Sequence, residues 1–152
     1  MANPPVWTQL TDTQLPGLSI ASLTISPVNS NVLYAGTGST SSNASDGSAP
    51  FGIAKTSDGG ATWTVLASAT FAGKRITSIV ATTLLGGNVV LAANLFERFG
   101  LYRSTDGGVT FTRISGAPGS GLRNGGVSSI VADPADPNRF YVGVPSTYLN
   151  SG

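Results

Sequence analysis

The sequence predicts an all-β fold built from repeated four-stranded antiparallel units, and three observations support this. Short segments that alternate or run apolar, rich in β-branched and aromatic residues, are bounded by turn residues along the chain. One pattern recurs after about 48 residues, the spacing of a repeating structural unit. The composition agrees: 152 residues include 20 Gly and 9 Pro, with 40% hydrophobic and only 10% charged residues. Such a turn-rich, weakly charged balance suits an all-β domain.

The elements follow in order. VWTQL (6–10) matches TWTVL (62–66) and TFTRI (110–114) nearly position for position, so it reads as an orphan last strand, D. A complete unit occupies 19–66: SIASLTISP (19–27), NVLYAGTG (31–38), FGIAKTSD (51–58) and ATWTVL (61–66), strands A to D. A second occupies 75–114: RITSIVAT (75–82), NVVLAAN (88–94), FGLYRSTD (99–106) and VTFTRI (109–114). A partial third, 126–152, opens with GVSSIVADP (126–134) and RFYVGVPS (139–146). No segment sustains a helical period, so essentially no helix is expected.

The order is therefore D–ABCD–ABCD–AB. Four strands per unit and a period of about 45–50 residues are the marks of β-propeller blades, and a displaced outer strand is a common way to close such a ring. The expected fold is a partial β-propeller over 1–152, completed by oligomerisation or by further chain.

The recurring pattern reads Thr56-x-Asp58-x-Gly60-x-Thr62-Trp63 and then Ser104-x-Asp106-x-Gly108-x-Thr110-Phe111. Each copy lies at a C-to-D turn. An Asp there accepts hydrogen bonds from its own turn, Gly60 and Gly108 permit a positive φ, and the two Thr hydroxyls face the carboxylate. Trp63 and Phe111 bring large apolar area to the neighbouring sheet. These parts make a pinned hairpin and need no substrate. Recurrence points the same way, because an active site is seldom duplicated in each repeat.

Composition narrows the chemistry. A net charge of +1 from scattered basic residues predicts no nucleic-acid or anionic-membrane footprint. With neither Cys nor His, disulfides, the usual zinc sites and His-based triads are excluded. No apolar run reaches the ~18 residues of a membrane span. Met1-Ala2-Asn3-Pro4-Pro5 lacks the basic and apolar regions of a signal peptide.

The two boxes and their flanks resemble the Asp-box, or BNR repeat, of the sialidase-like propeller superfamily, a resemblance covering Val6 to about Gly143. LTISPVNSNVLYAGTG and IVADPADPNRFYVG resemble the strand A–turn–strand B segments between such boxes. The resemblance implies a propeller and a secreted or extracellular setting. Its members range from sialidases and xyloglucan-degrading glycosidases to receptors and assembly factors, so function must be argued from the residues.

Sialidase chemistry would need three arginines and a Tyr–Glu nucleophile pair. Arg75, Arg98, Arg103, Arg113, Arg123 and Arg139 are available, but the Phe/Tyr-Arg-Ile-Pro stretch is missing and Glu97 is the only glutamate. A xyloglucan-type glycosidase needs two carboxyl groups flanking the bond. Asp58 and Asp106 belong to the boxes, and Asp133 and Asp136 to an A-to-B turn, which leaves Asp12, Asp46 and Glu97. The expected catalytic set in this chain is accordingly empty.

Two loops are candidates for ligand contact. GSTSSNASDGSAPFG (38–52) carries Ser42, Asn43 and Asp46 on a long B–C connection, and LFERFG (95–100) carries Phe96, Glu97 and Arg98 on the equivalent rim. No cofactor is expected. Asp46 is a candidate calcium ligand, although one carboxylate is thin for that ion.

Two blades and part of a third leave apolar faces and strand edges uncovered. The expected partners are therefore further copies of the chain, or remaining blades from another chain, with a glycan as the candidate ligand. The favoured function is a non-catalytic binding or assembly module of a secreted propeller protein. Its alternatives are the N-terminal section of a propeller glycoside hydrolase and a structural protein that forms rings or fibres by strand exchange.

Overall fold

A computed structural model describes residues 4–10, 13–16, 19–38, 49–95 and 100–145. Among these residues ten strands form three antiparallel sheets. The first holds β1 (Ile20–Ser26), β2 (Asn29–Thr37), β3 (Ile53–Thr56) and β4 (Thr64–Leu66) in sequential order. The second holds β5 (Ser78–Ala81), β6 (Val90–Asn94), β7 (Gly100–Ser104) and β8 (Thr112–Arg113), also sequential. The third pairs β9 (Ser129–Ala132) with β10 (Phe140–Gly143). The molecule is a partial β-propeller of four-stranded antiparallel sheets.

Register repeats from sheet to sheet. Leu33 of β2 faces Thr56 of β3, and Val90 of β6 faces Ser104 of β7, so the same B position meets the box hydroxyl in both units. This repetition makes residues of successive units directly comparable. Leu33, Val90 and Phe140 are equivalent, as are Tyr34, Leu91 and Tyr141.

Two apolar clusters fill the spaces between sheets. The first takes Tyr34, Ile53 and Phe71 from the leading unit and Ile79, Val90, Ala92, Tyr102 and Phe111 from the second. Phe71 meets the rings of Tyr102 and Phe111 edge-on, with centroids 5.1 and 4.9 Å away, and such pairs add ~0.5–1.5 kcal/mol each beyond burial. The second cluster joins Leu91, Ala93 and Leu101 to Val127 and Ile130, with Leu122, Phe140 and Val142 partly buried at its margin.

Two expectations need correction. The first is that the chain would have essentially no helix. Ser68–Phe71 forms one helical turn, α1, and Leu84–Gly87 a 3-10 turn in which Leu85 and Gly86 have φ of 51° and 67°. Both are connections of four residues. A helix so short gains little by itself, and α1 is held by what it delivers, the fully buried Phe71.

The second is that residues 6–10 would be a strand. They carry no strand in this structure, because no strand among the described residues pairs with them. Leu10 nevertheless occupies a D-strand position: a Cβ on Gly60 would lie 2.8 Å from Leu10 Cδ1, and one on Gly108 would lie 2.8 Å from Leu66 Cδ1. Leu10 and Leu66 end the matching segments VWTQL and TWTVL. The sequence equivalence therefore holds in space while the strand pairing is absent.

Candidate functional site

Both box turns close with the same donor and acceptor groups. Thr56 Oγ1 donates to Asp58 Oδ1 at 2.7 Å and accepts from the N–H groups of Asp58 (3.3 Å) and Gly60 (2.9 Å). The Thr62 N–H and hydroxyl then donate to the two Asp58 oxygens at 2.8 and 2.6 Å. In the second turn Ser104 Oγ donates to Asp106 Oδ1 at 2.7 Å and accepts from Asp106 (3.3 Å) and Gly108 (2.9 Å). The Thr110 hydroxyl reaches Asp106 Oδ2 at 2.6 Å.

Local sequence dictates this closure. Gly60 and Gly108 adopt φ of 99° and 92°, a backbone that a β-carbon penalises. Each turn is also tied to the B strand of its own sheet, since Gly59 N–H donates to Asn31 O and Gly107 N–H to Asn88 O, both at 2.9 Å.

The electrostatics follow from the bonds. The Thr62 hydroxyl, then the Thr62 N–H, then Thr56 hold the Asp58 carboxyl down to about 2. Asp106 is lowered to about 2 by the same groups of Thr110 and by Ser104. Donors aimed at the ionised form lower a carboxyl pKa. That is the wrong direction for the protonated member of a glycosidase pair, which must keep its proton near neutral pH.

The second turn also carries the contact between sheets. Its Gly107 carbonyl accepts from Tyr34 Oη (3.2 Å) and Lys55 Nζ (3.0 Å) of the leading unit. Burial pushes the Tyr34 phenol up, so it remains a donor. Phe111 is buried beside Phe71 as the pattern predicts. Trp63, its equivalent, is only half-buried, and its Nε1 is a buried donor without an acceptor. Phe111 packs on a preceding sheet, whereas Trp63 has none among the described residues.

Asp133 and Asp136 lie in the expected turn. Asp133 Oδ1 accepts from Ala135 N–H at 2.8 Å, Asp136 Oδ1 accepts from Asn138 N–H at 3.0 Å, and Arg139 bridges both carboxylates at 3.3 Å. The loop candidates Ser42, Asn43, Asp46, Phe96, Glu97 and Arg98 lie outside the described residues, as does Asp12. Among the described residues no group of three or more acidic, His or Cys side chains is placed to hold a metal. No helix there is long and apolar enough to cross a membrane.

Two concavities stand out. One of about 400 Å³, beside the B–C connection of the first unit, is lined by Pro16, Pro50, Phe51, Val65 and neighbours without an ionisable side chain. The other, of about 450 Å³, lies between the second and third sheets against Leu91, Leu101, Arg103, Ile114, Leu122 and Phe140. Sequence reasoning did not find this groove. Its signal in the sequence is that Leu91, Leu101 and Ile114 of the second unit repeat the apolar positions Tyr34, Ile53 and Leu66 that receive a box in the first.

No family model matches the sequence, and no curated protein does. Solved structures do. A GH74 enzyme of Niastella koreensis aligns over 80% of this chain and 16% of its own, with a TM-score of 0.58 and 27% identity. An ancestral GH74 enzyme aligns over 82% and 16%, with a TM-score of 0.56 and 20% identity. The GH74 xyloglucanase of Xanthomonas campestris aligns over 83% and 20%, with a TM-score of 0.53 and 18% identity. The chain thus spans no more than a fifth of the length of these enzymes, and it shares with them the sheet arrangement of a propeller fragment.

Proposed function

We propose that the chain is a blade-forming segment of an Asp-box propeller belonging to a secreted, polysaccharide-directed protein of the glycoside hydrolase type, and that its boxes build the ring without carrying the chemistry. The observation that carries this reading is the complete engagement of Asp58 and Asp106 by their own turns. A carboxylate that accepts from two donors of one turn and a third from the strand before it is committed to folding. The likeness to GH74 enzymes, one of them a xyloglucanase, supplies the setting. Such an enzyme needs two free carboxyl groups. Asp133 and Asp136 are bound in their turn as well.

The second reading, a non-catalytic binding or assembly module with a glycan as ligand, draws on the uncovered apolar faces described below. Incubation of the chain with xyloglucan and an aryl glycoside separates the two readings from simple catalysis. The expected result is no turnover by the chain alone, with Asp58→Asn and Asp106→Asn lowering the melting temperature. Turnover abolished by either substitution at unchanged stability would overturn the proposal. Glycan-array binding without hydrolysis selects the module, and turnover lost on changing Asp46 or Glu97 moves the chemistry into this segment.

A further inference from the structure

The groove between the second and third sheets can be read against the interface that the molecule completes between its first and second. In the completed interface the receiving face is Tyr34, Ile53, Lys55, Leu66 and Phe71, and the second sheet answers with all four of its strands. Ile79 comes from A, Val90 and Ala92 from B, Tyr102 from C, and Phe111 from D. In the groove, Leu91, Leu101, Arg103 and Ile114 repeat Tyr34, Ile53, Lys55 and Leu66, and Leu122 lines the groove beside them. The third sheet answers with Ile130 from A and with Phe140 and Val142 from B. Nothing among the described residues stands where Tyr102 and Phe111 stand.

Burial differs between the two interfaces at these positions. Val90 and Ala92 are both fully buried, whereas Phe140 and Val142 at the same positions are only half-buried. Ile130, whose place does not depend on strands C and D, is 6% exposed, matching Ile79 at 5%. The far edge of β10 is also unpaired among the described residues, because the third sheet has the order β10–β9 alone. Arg103, the equivalent of Lys55, is exposed, while Lys55 donates to the turn carbonyl of Gly107.

We propose that this groove and the edge of β10 left unpaired among the described residues bind a Ser/Thr-x-Asp-x-Gly-x-Thr-aromatic β-hairpin supplied by sequence outside these 152 residues. The proposal rests on the propeller-segment reading and specifies the partner that reading requires at this end. The mode is strand addition, with main-chain bonds along β10 and side-chain pockets selecting the occupant. The known interface fixes the register: the box hydroxyl residue lies opposite Phe140, as Thr56 lies opposite Leu33 and Ser104 opposite Val90. The second turn glycine rests on Ile114 and Leu91, as Gly108 rests on Leu66 and Tyr34. The carbonyl of the first turn glycine accepts from Arg103, as that of Gly107 accepts from Lys55, and the aromatic residue fills the groove beside Leu122. A second copy is the poorer occupant, because both of its boxes are already paired into complete sheets.

The probe is a fluorescently labelled peptide with the sequence of residues 100–114, GLYRSTDGGVTFTRI, titrated into the whole chain. The expected result is saturable binding, weakened at least about tenfold by Gly108→Val or Phe111→Ala within the peptide. Hydrogen exchange should slow at Phe140–Gly143 and not in β1. Arg103→Glu in the protein should weaken binding while its circular dichroism stays unchanged. The inference is overturned by no binding, by equal binding of the variant peptides, or by protection away from β10. Protection of β10 by self-association without peptide also overturns it, by naming a second copy as occupant. The turnover and melting assays of Asp58→Asn and Asp106→Asn test the propeller-segment reading separately, so a failed titration beside lowered melting temperatures and no turnover refutes only the hairpin.

Discussion

Thr56 and Ser104 occupy the same place with different side chains and make the same three bonds at matching lengths. The hydroxyl is therefore what the position needs, and the methyl group is incidental. Thr56 is 1% exposed, so losing its oxygen strands the buried Gly60 N–H. Thr56→Val should cost ~1–3 kcal/mol, and Thr56→Ser should cost much less, both read from urea melts. The carboxylates give a pH signature. Each has a folded value of about 2 against an ordinary 3.8, so as pH falls through 4 the unfolded chain takes up protons first. The stabilisation is complete above about pH 4 and is lost as pH falls towards 2. Both side chains are exposed, so the effect is modest. Unfolding followed from pH 6 to 2 should steepen below pH 4, and the Asp58→Asn, Asp106→Asn double variant should flatten that limb.

At the scale of elements, most strands were legible because period-2 alternation and turn residues are local signals. The box geometry was legible for the same reason: every donor to Asp58 lies within four residues of it. What the sequence did not disclose depends on neighbours. SATF has no helical period, and α1 makes sense only once Phe71 lies under Tyr102 and Phe111. Trp63 and Phe111 share one motif position but differ in burial, since among the described residues only the second has a sheet in front of it. That difference predicts opposite responses. Phe111→Ala removes a ring from a packed aromatic group and should cost ~3–5 kcal/mol. Trp63→Phe removes a buried donor with no acceptor and should be neutral or slightly stabilising in the isolated chain. A destabilisation by Trp63→Phe comparable to that of Phe111→Ala would show that Trp63 already has its cover.

Across the whole molecule, the two ends of the stack differ in kind. Leu23, Ile79 and Ile130 are equivalent A-strand residues, yet Leu23 is 60% exposed while the other two are nearly buried. Ile25, two residues on, lies on the same side of β1 and is exposed as well. Ser22, on the opposite side, donates to Ile76 O of the second unit, so the side of β1 that faces outward is its apolar one. In a sheet standing alone the alternation would run the other way. It is explained if β1 faces another sheet as β5 faces the first. The isolated chain should therefore associate at tens of micromolar, with Leu23→Lys and Ile25→Lys together reducing that association. Because neither side chain is buried in the single molecule, the double variant should keep its circular dichroism and melt within a few degrees of the parent, as surface substitutions do. Light scattering over a dilution series decides the matter. A parent chain that stays monomeric throughout, or association indifferent to both lysines, would mean that this face is stable in water and that β1 needs no neighbour.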